Sequence, residues 1–275
     1  MKELYKLLLY NTGENRMRIL FLRHGEPDYR TDSLTAKGRR EADLLSRRLK
    51  HYRIEDFYTS PLGRARETAE YTLRLSNRKA EILPWLAEFR GHFQCPDTGR
   101  EIPPWNLPPR FWTSWPELKD PAGWADSSLF TGGTVKQIWE ETKEGMDELM
   151  SRYGFYKDGP VWRCNSNSRK AIAVFCHFGI TMAALAYLLE ESPLPLWHHI
   201  MCVPSSLTEV VTEERIPGEV AFRIIKLGDT THLEASGEGR STSGLFPECW
   251  TGVDTTDQTS NGETLWDAWN PVCKS

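Results

Sequence analysis

The 275-residue chain lacks most of the features that mark specialised classes of protein. Its longest apolar runs fall well short of the ~18 consecutive apolar residues that a membrane-spanning helix needs, so no membrane partner is expected. None of its six cysteines forms a C-x-x-C pair, which argues against a zinc ribbon or a dithiol redox motif. No Asn-x-Ser/Thr sequon occurs. We therefore expect a cytoplasmic protein in which Cys176 and Cys202, which lie in apolar surroundings, are buried free thiols.

An excess of positive charge is also missing. The formal net charge is −4, and residues 235–275 alone hold six acidic and two basic side chains. A protein that binds nucleic acid through its phosphates usually carries a basic face. We therefore expect no nucleic-acid partner. If the protein binds an anion, a few local arginines must do so.

Two apolar runs are present, and each ends at a histidine. Ile19–Leu22 precedes Arg23 and His24, and Ala171–Cys176 precedes His177. Runs without polar alternation are typical of strands that are buried on both faces of a parallel sheet. Ligands of open α/β sheets bind beyond the carboxyl ends of the strands. The two histidines, although far apart in sequence, are therefore expected to face one pocket.

Predicted strands and helices alternate through most of the chain. Further strands are predicted near residues 56–59, 82–83, 207–212 and 220–227. Helices are predicted near 36–50, from 60 onward, over 133–153 and over 180–190. Thr35 and Ser60 are the predicted N-caps of the first two helices. The alternation predicts an α/β fold, a three-layer α/β/α sandwich with a largely parallel central sheet.

Five short motifs occur in a fixed order along the chain. They are Leu22-Arg23-His24-Gly25-Glu26, Leu34-Thr35 with Gly38 and Glu41-Ala42, Ser60-Pro61-Leu62-Gly63-Arg64-Ala65 with Thr68-Ala69, Leu86 with Glu88, and Phe175-Cys176-His177-Phe178-Gly179. In this order, over about residues 18–190, the sequence resembles the histidine phosphatase (phosphoglycerate mutase-like) superfamily. The resemblance implies the fold predicted above and phosphoryl transfer that requires neither a metal nor another cofactor.

The resemblance implies a role for each of five residues. His24 matches the nucleophile, which attacks phosphorus to form a phosphohistidine. Arg23 and Arg64 match the arginines that clamp the phosphate with paired guanidinium donors. His177 matches the second histidine, which contacts the transferring phosphoryl group. Glu88 matches the general acid that protonates the leaving oxygen, a role that needs a raised pKa.

Three functions remain open at this point: a phosphatase, a cofactor-dependent phosphoglycerate mutase, and an inactive module that binds a phosphorylated ligand. Only nine residues, 25–33, separate His24 from Leu34. They lack the long, Asn- and Trp-bearing segment of such mutases, which favours hydrolysis. All five matched residues are present, which disfavours an inactive module. The substrate class and the oligomeric state stay open.

We divide the chain into an N-terminal extension (1–16), a catalytic domain (17–234) and an acidic tail rich in Gly, Ser and Thr (235–275). Within the domain, residues 92–130 hold four tryptophans and seven prolines without clean periodicity. Loops of this length are usually functional or disordered, and the tryptophans argue against disorder. We therefore expect a lid over the active site and a small phosphorylated substrate with an apolar or aromatic part.

The remaining polar side chains carry weaker signals. We expect Arg66 to be a solvated surface residue and Glu26 an exposed loop acid. His198 and His199 diverge on any regular element, so a surface or packing role is expected. His92 is a minor candidate for the pocket wall, because it follows Glu88 closely. His51 and His232 give no functional signal.

Overall fold

The computed structural model describes residues 16–165 and 168–243. The strands in these ranges are β1 (Arg18–Arg23), β2 (Pro27–Asp28), β3 (Ser33–Leu34), β4 (Ile54–Thr59), β5 (Glu81–Ile82), β6 (Phe93–Gln94), β7 (Glu101–Ile102), β8 (Phe155–Asp158), β9 (Val161–Cys164), β10 (Ala171–Cys176), β11 (Leu207–Ile216) and β12 (Glu219–Asp229). The α-helices are α1 (Ala36–Leu49), α2 (Gly63–Ser76), α3 (Pro109–Trp112), α4 (Val135–Ser151), α5 (Phe178–Leu189), α6 (Pro193–His199) and α7 (Thr231–Glu234).

Eight of these strands form one central sheet in the order β5-β4-β10-β1-β11-β12-β9-β8. The first four strands pair in parallel, and every pairing from β1 to β8 is antiparallel. Six of the eight strands consequently point the same way, with β11 and β9 reversed. The sheet is mixed and largely parallel, as the sequence predicts.

Helices cover both faces of the sheet, because the side chains of β1 alternate between two apolar clusters. Leu20 and Leu22 pack in one cluster with Leu45 of α1 and Ala69 of α2. Ile19 and Phe21 lie in the other, larger cluster, which includes buried residues of α4 and α5. This arrangement confirms the predicted three-layer sandwich. Among the described helices, none has the length and hydropathy that crossing a membrane would require.

The first two helices begin differently from each other. The Thr35 hydroxyl accepts a hydrogen bond from the Gly38 backbone N–H at 3.0 Å, which confirms the predicted N-cap of α1. The prediction for Ser60 is wrong, since α2 begins at Gly63 and its cap residue is Leu62. An Asp32 carboxylate oxygen instead accepts from the Gly63 N–H at 2.6 Å. The Ser60 hydroxyl is therefore available for another partner.

Residues 92–130 contain the β6–β7 hairpin, α3 and several 3₁₀ turns. Trp112 and Trp124 of this segment are buried, and Trp124 packs edge-on against Trp139 and Trp197. Half of the tryptophans in the predicted lid thus contribute to the core, and deleting the whole segment would remove core packing. Residues 1–15 of the predicted extension and residues 244–275 of the predicted tail lie outside the described residues.

Candidate active site

Adjacent parallel strands bring His24 and His177 together. β1 pairs with β10 in a register that places Arg23 opposite Cys176, so the residue after each strand emerges at the same edge of the sheet. The two imidazole centroids lie 5.1 Å apart, and the ring planes are inclined by 58°. His24 is 2% exposed and His177 is fully buried. The structure thus places the two histidines side by side, as the two strand ends predict.

The hydrogen bond of His24 defines its tautomer. Nδ1 lies 2.7 Å from the Gly25 carbonyl oxygen, which can only accept, so Nδ1 carries the proton. Burial lowers the pKa of His24 well below its ordinary value, and the charges of Arg23 and Arg64 lower it further. The imidazole is therefore neutral at neutral pH, with its lone pair on Nε2. A neutral imidazole of this kind can act as a nucleophile.

Arg23 and Arg64 supply positive charge beside the two histidines. One guanidinium nitrogen of Arg23 donates to the Cys202 carbonyl. Nη1 of Arg64 donates to an Asp32 carboxylate oxygen at 2.6 Å. In both arginines Nε is buried without a hydrogen-bond partner among the described residues. Buried N–H groups are normally satisfied, so these two donors are suited to an oxyanion such as phosphate.

A serine from another part of the chain holds His177. The Ser60 hydroxyl lies 2.7 Å from Nε2 of His177 and accepts a hydrogen bond from the Leu62 backbone N–H. This favours the arrangement in which the hydroxyl donates its own proton to Nε2. His177 would then carry its proton on Nδ1, which is buried and has no partner among the described residues. With that proton, Nδ1 of His177 would join the Nε groups of Arg23 and Arg64 as a third unpaired donor.

Glu88 follows the 3₁₀ turn Pro84–Leu86 and is half-buried. Its Oε1 accepts from the backbone N–H groups of Phe89 at 2.9 Å and Ile180 at 3.1 Å. Burial raises the pKa of Glu88, although these two hydrogen bonds and the charges of Arg64 and Arg23 oppose the rise. Since Oε1 already accepts twice, Oε2 is the oxygen that would carry a proton. The environment of Glu88 suits a proton donor.

Trp105 connects the 92–130 segment to Glu88. A Cβ atom at Gly179 would come within 2.5 Å of the Trp105 ring and 2.7 Å of Glu88 Oε1. Glycine is therefore required between the indole and the carboxyl group. The lid stays a prediction, and the structure identifies Trp105 as the residue at which to test it.

We expect Trp105→Ala to lower the pKa of Glu88 toward its ordinary value, because water replaces the apolar ring beside the carboxyl group. An acid must be protonated to donate, so the rate falls as pH rises through its pKa. The alkaline limb of the pH–kcat profile should therefore move to lower pH. Trp115→Ala, in the same segment and also partly buried, is the matched control. Identical profiles for both variants would contradict a covering role for Trp105.

A cavity of about 480 Å³ lies against Glu88 on the side of α4. Trp85, Phe89 and Ile180 contribute apolar wall, and the charged side chains in the wall, besides Glu88, are Arg90, Glu141, Glu144 and Glu148. The cavity borders the carboxyl group that would protonate a leaving oxygen. It is therefore a candidate space for the part of a substrate that lies beyond its phosphate.

The other polar residues are placed as follows. Arg66 is exposed, as predicted. The prediction for Glu26 is wrong: its carboxylate is half-buried and accepts from the Thr35 and Ser241 hydroxyls. The packing role of His198 is confirmed, since its ring stacks on Trp112 at 4.8 Å. His92 contacts Thr134 and Glu101. Cys176 and Cys202 are buried free thiols, as predicted.

Sequence reasoning missed the contacts of three residues near the site: Asp32 with Arg64, Ser60 with His177, and Glu41 with the Glu26 N–H. Asp32 both holds Arg64 and caps α2, and it adopts a positive φ of 47°. Aspartate tolerates this conformation better than most residues. No local pattern pointed to Asp32, whereas Ser60 and Glu41 lay inside motifs without an assigned contact.

Within residues 16–165 and 168–243, no group of three or more His, Cys, Asp or Glu side chains could hold a metal ion. The arginines can neutralise phosphate without one. We expect the rate of phosphate ester hydrolysis to be unchanged after prolonged treatment with EDTA and 1,10-phenanthroline. A metal-dependent phosphatase treated in parallel should lose its activity. Loss that one divalent ion restores would contradict the expectation.

Comparison with known proteins supplies independent information. A search of curated protein sequences finds no match. The chain is similar in structure to a mutant phosphoserine phosphatase from Entamoeba histolytica in complex with phosphoserine (17% identity, TM-score 0.53, covering 79% of this chain and 99% of that chain). It is also similar to a mycobacterial glucosyl-3-phosphoglycerate phosphatase (17%, 0.52, 78% and 99%) and to a putative alpha-ribazole-5'-P phosphatase from Escherichia coli K-12 (18%, 0.50, 78% and 98%).

At these identities the structural likenesses establish the fold. The family follows from the sequence itself, because the model described as "Histidine phosphatase superfamily (branch 1)" matches residues 19–223. The matched region runs from β1 into β12 and contains all five residues gathered at the strand ends. Since it spans well over half of the chain, the protein belongs to the histidine phosphatase superfamily, branch 1.

Proposed function

We propose that this protein is a phosphatase that hydrolyses a phosphate monoester through a phosphohistidine on His24. One observation carries the proposal: a neutral imidazole with its lone pair on Nε2 lies beside buried guanidinium N–H groups that have no partner among the described residues. A nucleophile among unpaired donors matches the needs of phosphoryl transfer, which depends mainly on positioning and charge stabilisation.

In the first step, Nε2 of His24 attacks phosphorus, and the bond from phosphorus to the leaving oxygen breaks. Glu88 gives its proton to that oxygen, so the leaving group departs as a neutral alcohol. Arg23, Arg64 and His177 donate hydrogen bonds to the non-bridging oxygens, on which negative charge is spread. The products of this step are a phosphohistidine and a Glu88 carboxylate.

In the second step, water attacks the phosphorus of phosphohistidine while the Glu88 carboxylate takes one of its protons. The bond from phosphorus to Nε2 breaks, inorganic phosphate forms, and His24 and Glu88 return to their starting states. The same carboxyl group thus acts first as acid and then as base. Its raised pKa favours the protonated form that the first step requires.

Small phosphate monoesters are the best supported substrates. The similar structures named above are called phosphatases of phosphoserine, glucosyl-3-phosphoglycerate and alpha-ribazole-5'-P. Here the cavity beside Glu88 offers room for a leaving group, Trp85 lines that cavity, and Trp105 offers apolar surface near Glu88. We infer that the leaving group carries an apolar or aromatic part.

Hydrolysis is favoured over phosphoryl transfer between phosphoglycerates. Only the short β2–β3 hairpin and its turn lie between His24 and α1. Such a small segment supplies few groups that could hold a second phosphorylated substrate while the phosphohistidine persists.

The decisive experiment supplies the purified 275-residue chain with a panel of ³²P-labelled phosphate monoesters, which includes sugar, amino-acid, nucleoside and aryl phosphates. Quenching in base preserves phosphohistidine, and peptide mapping locates the label. Release of inorganic phosphate with label on His24 is expected. Transfer to a phosphoglycerate acceptor without net release would identify a mutase. Binding without release or transfer would identify an inactive module.

A further inference from the structure

Glu41 is a buried carboxyl group to which the proposed mechanism gives no role. It lies on α1 and is 0% exposed. Its Oε2 accepts a hydrogen bond from the Glu26 backbone N–H at 2.7 Å. Its Oε1 is buried without a hydrogen-bond partner among the described residues. Burial of a carboxyl group in this manner costs free energy, so its presence calls for an explanation.

Among the described residues, the single hydrogen bond of the Glu41 side chain leads to the peptide that holds His24. The N–H of Glu26 and the C=O of Gly25 belong to the same planar peptide group. That C=O accepts the Nδ1 proton of His24 at 2.7 Å. A carboxyl group, a peptide and the nucleophilic imidazole are therefore joined in one unbroken chain of hydrogen bonds, away from bulk solvent.

We propose that Glu41 is a positioning residue that acts on His24 through the Gly25–Glu26 peptide, an inference that rests on the proposed function. Hydrogen bonds in series polarise one another. A negative carboxylate at the N–H end makes the Gly25 carbonyl oxygen a stronger acceptor. The stronger acceptor holds the Nδ1–H tautomer and stabilises the positive charge that the imidazole gains when Nε2 bonds to phosphorus.

The intervening peptide has a consequence for the substrate. A carboxylate in direct contact with the nucleophilic histidine would lie close to an anionic phosphate and repel it. Glu41 exerts its effect from the far side of a peptide group, while Arg23 and Arg64 still dominate the charge that the phosphate meets. Orientation and anion binding are thus compatible in the same small site.

The charge on Glu41 depends on its surroundings. The charged groups that face it are Lys37 and Arg40 on α1, Glu26 after β1 and Glu238 after α7. The Ser205 hydroxyl donates to the Glu41 backbone carbonyl and also contacts Nε2 of His232. Burial, reinforced by Glu26 and Glu238, raises the pKa of Glu41 to about 7, against the opposing effect of Lys37 and the Glu26 N–H. Below this pH the proton occupies Oε1, and the neutral group polarises the peptide less.

The test compares Glu41→Gln and Glu41→Ala in the full chain. Gln keeps an oxygen for the Glu26 N–H but cannot ionise, so kcat should fall about three- to tenfold at pH 8.5 and little at pH 5.5, with KM unchanged. Ala removes the acceptor and should lower kcat about 10–100-fold, a range that we take from the outer hydrogen-bond partners of metal-binding histidines. The control is Glu67→Gln, because Glu67 also accepts a backbone N–H, that of Leu34, but does not contact the His24 peptide.

A second measurement does not depend on activity. In ¹⁵N-labelled protein, the Nδ1–H resonance of His24 should shift as Glu41 titrates near pH 7 in the wild type. In Glu41→Gln, the chemical shift of this resonance should differ from that of the wild type and should not change over this pH range. This resonance tests the effect of Glu41 on His24 even if the protein hydrolyses no phosphate ester. A lack of hydrolysis would overturn the proposed function but not the positioning role of Glu41. The positioning role of Glu41 would be overturned if wild type and Glu41→Gln had the same Nδ1–H resonance and the same pH profile. The activity of Glu41→Ala would not change this conclusion.

Discussion

Replacing His24 with alanine is expected to lower kcat/KM for phosphate monoesters by about 10⁴–10⁶, the usual cost of losing a nucleophile. Without Nε2 no phosphohistidine can form, and the unpaired donors around the site have no covalent intermediate to stabilise. The fold should persist, because alanine fits where the buried imidazole lay and β1 ends one residue earlier. Steady-state assays measure the loss of hydrolysis, and the base-stable ³²P label measures the loss of phosphohistidine.

His92→Ala is the matched control for the loss of a histidine. His92 bonds to Thr134 and Glu101 and is 39% exposed at the side chain, so its removal should leave the rate and the label unchanged. If His24→Ala kept activity within tenfold of wild type, or if the label appeared on another residue, the phosphohistidine mechanism would be wrong.

Replacing Glu88 with glutamine is expected to slow hydrolysis of alkyl phosphates by about 10²–10⁴, the range typical for a lost general acid. Aryl phosphates should lose far less, because a phenolate can leave without a proton. Glutamine retains an oxygen for the Phe89 and Ile180 N–H groups, so the local backbone is preserved. Rates for a matched series of alkyl and aryl phosphates measure the difference.

The pH profile gives the same prediction a second readout. The pKa of Glu88 is raised, and the donor must be protonated, so the wild-type rate with alkyl substrates should fall as pH rises through that pKa. This limb should be absent in Glu88→Gln. The Glu67→Gln variant should keep it. Equal losses on alkyl and aryl substrates would reassign Glu88 to a structural or binding role.

Much of the fold and the core of the site follow from local sequence patterns. The apolar runs before His24 and His177 predict buried parallel strands, and the carboxyl ends of such strands meet at one edge. Helical periodicity and the Thr35 cap predict α1 to within a residue. The edge hairpin β8–β9 was missed, because its four-residue strands are partly exposed and carry no long apolar run.

The sequence by itself determined the main strands and helices around the site, the family motifs and the identity of the residues at the strand ends. Only the tertiary structure decided what each of those side chains touches. Asp32 reaches Arg64, Ser60 reaches His177 and Glu41 reaches the Gly25–Glu26 peptide across gaps that no local periodicity encodes. The physical reason is that a buried polar group takes whichever partner the packed elements bring within hydrogen-bond distance. The same holds for residues 92–130, the predicted lid, where packing against α4 and α6 places Trp124 in the core.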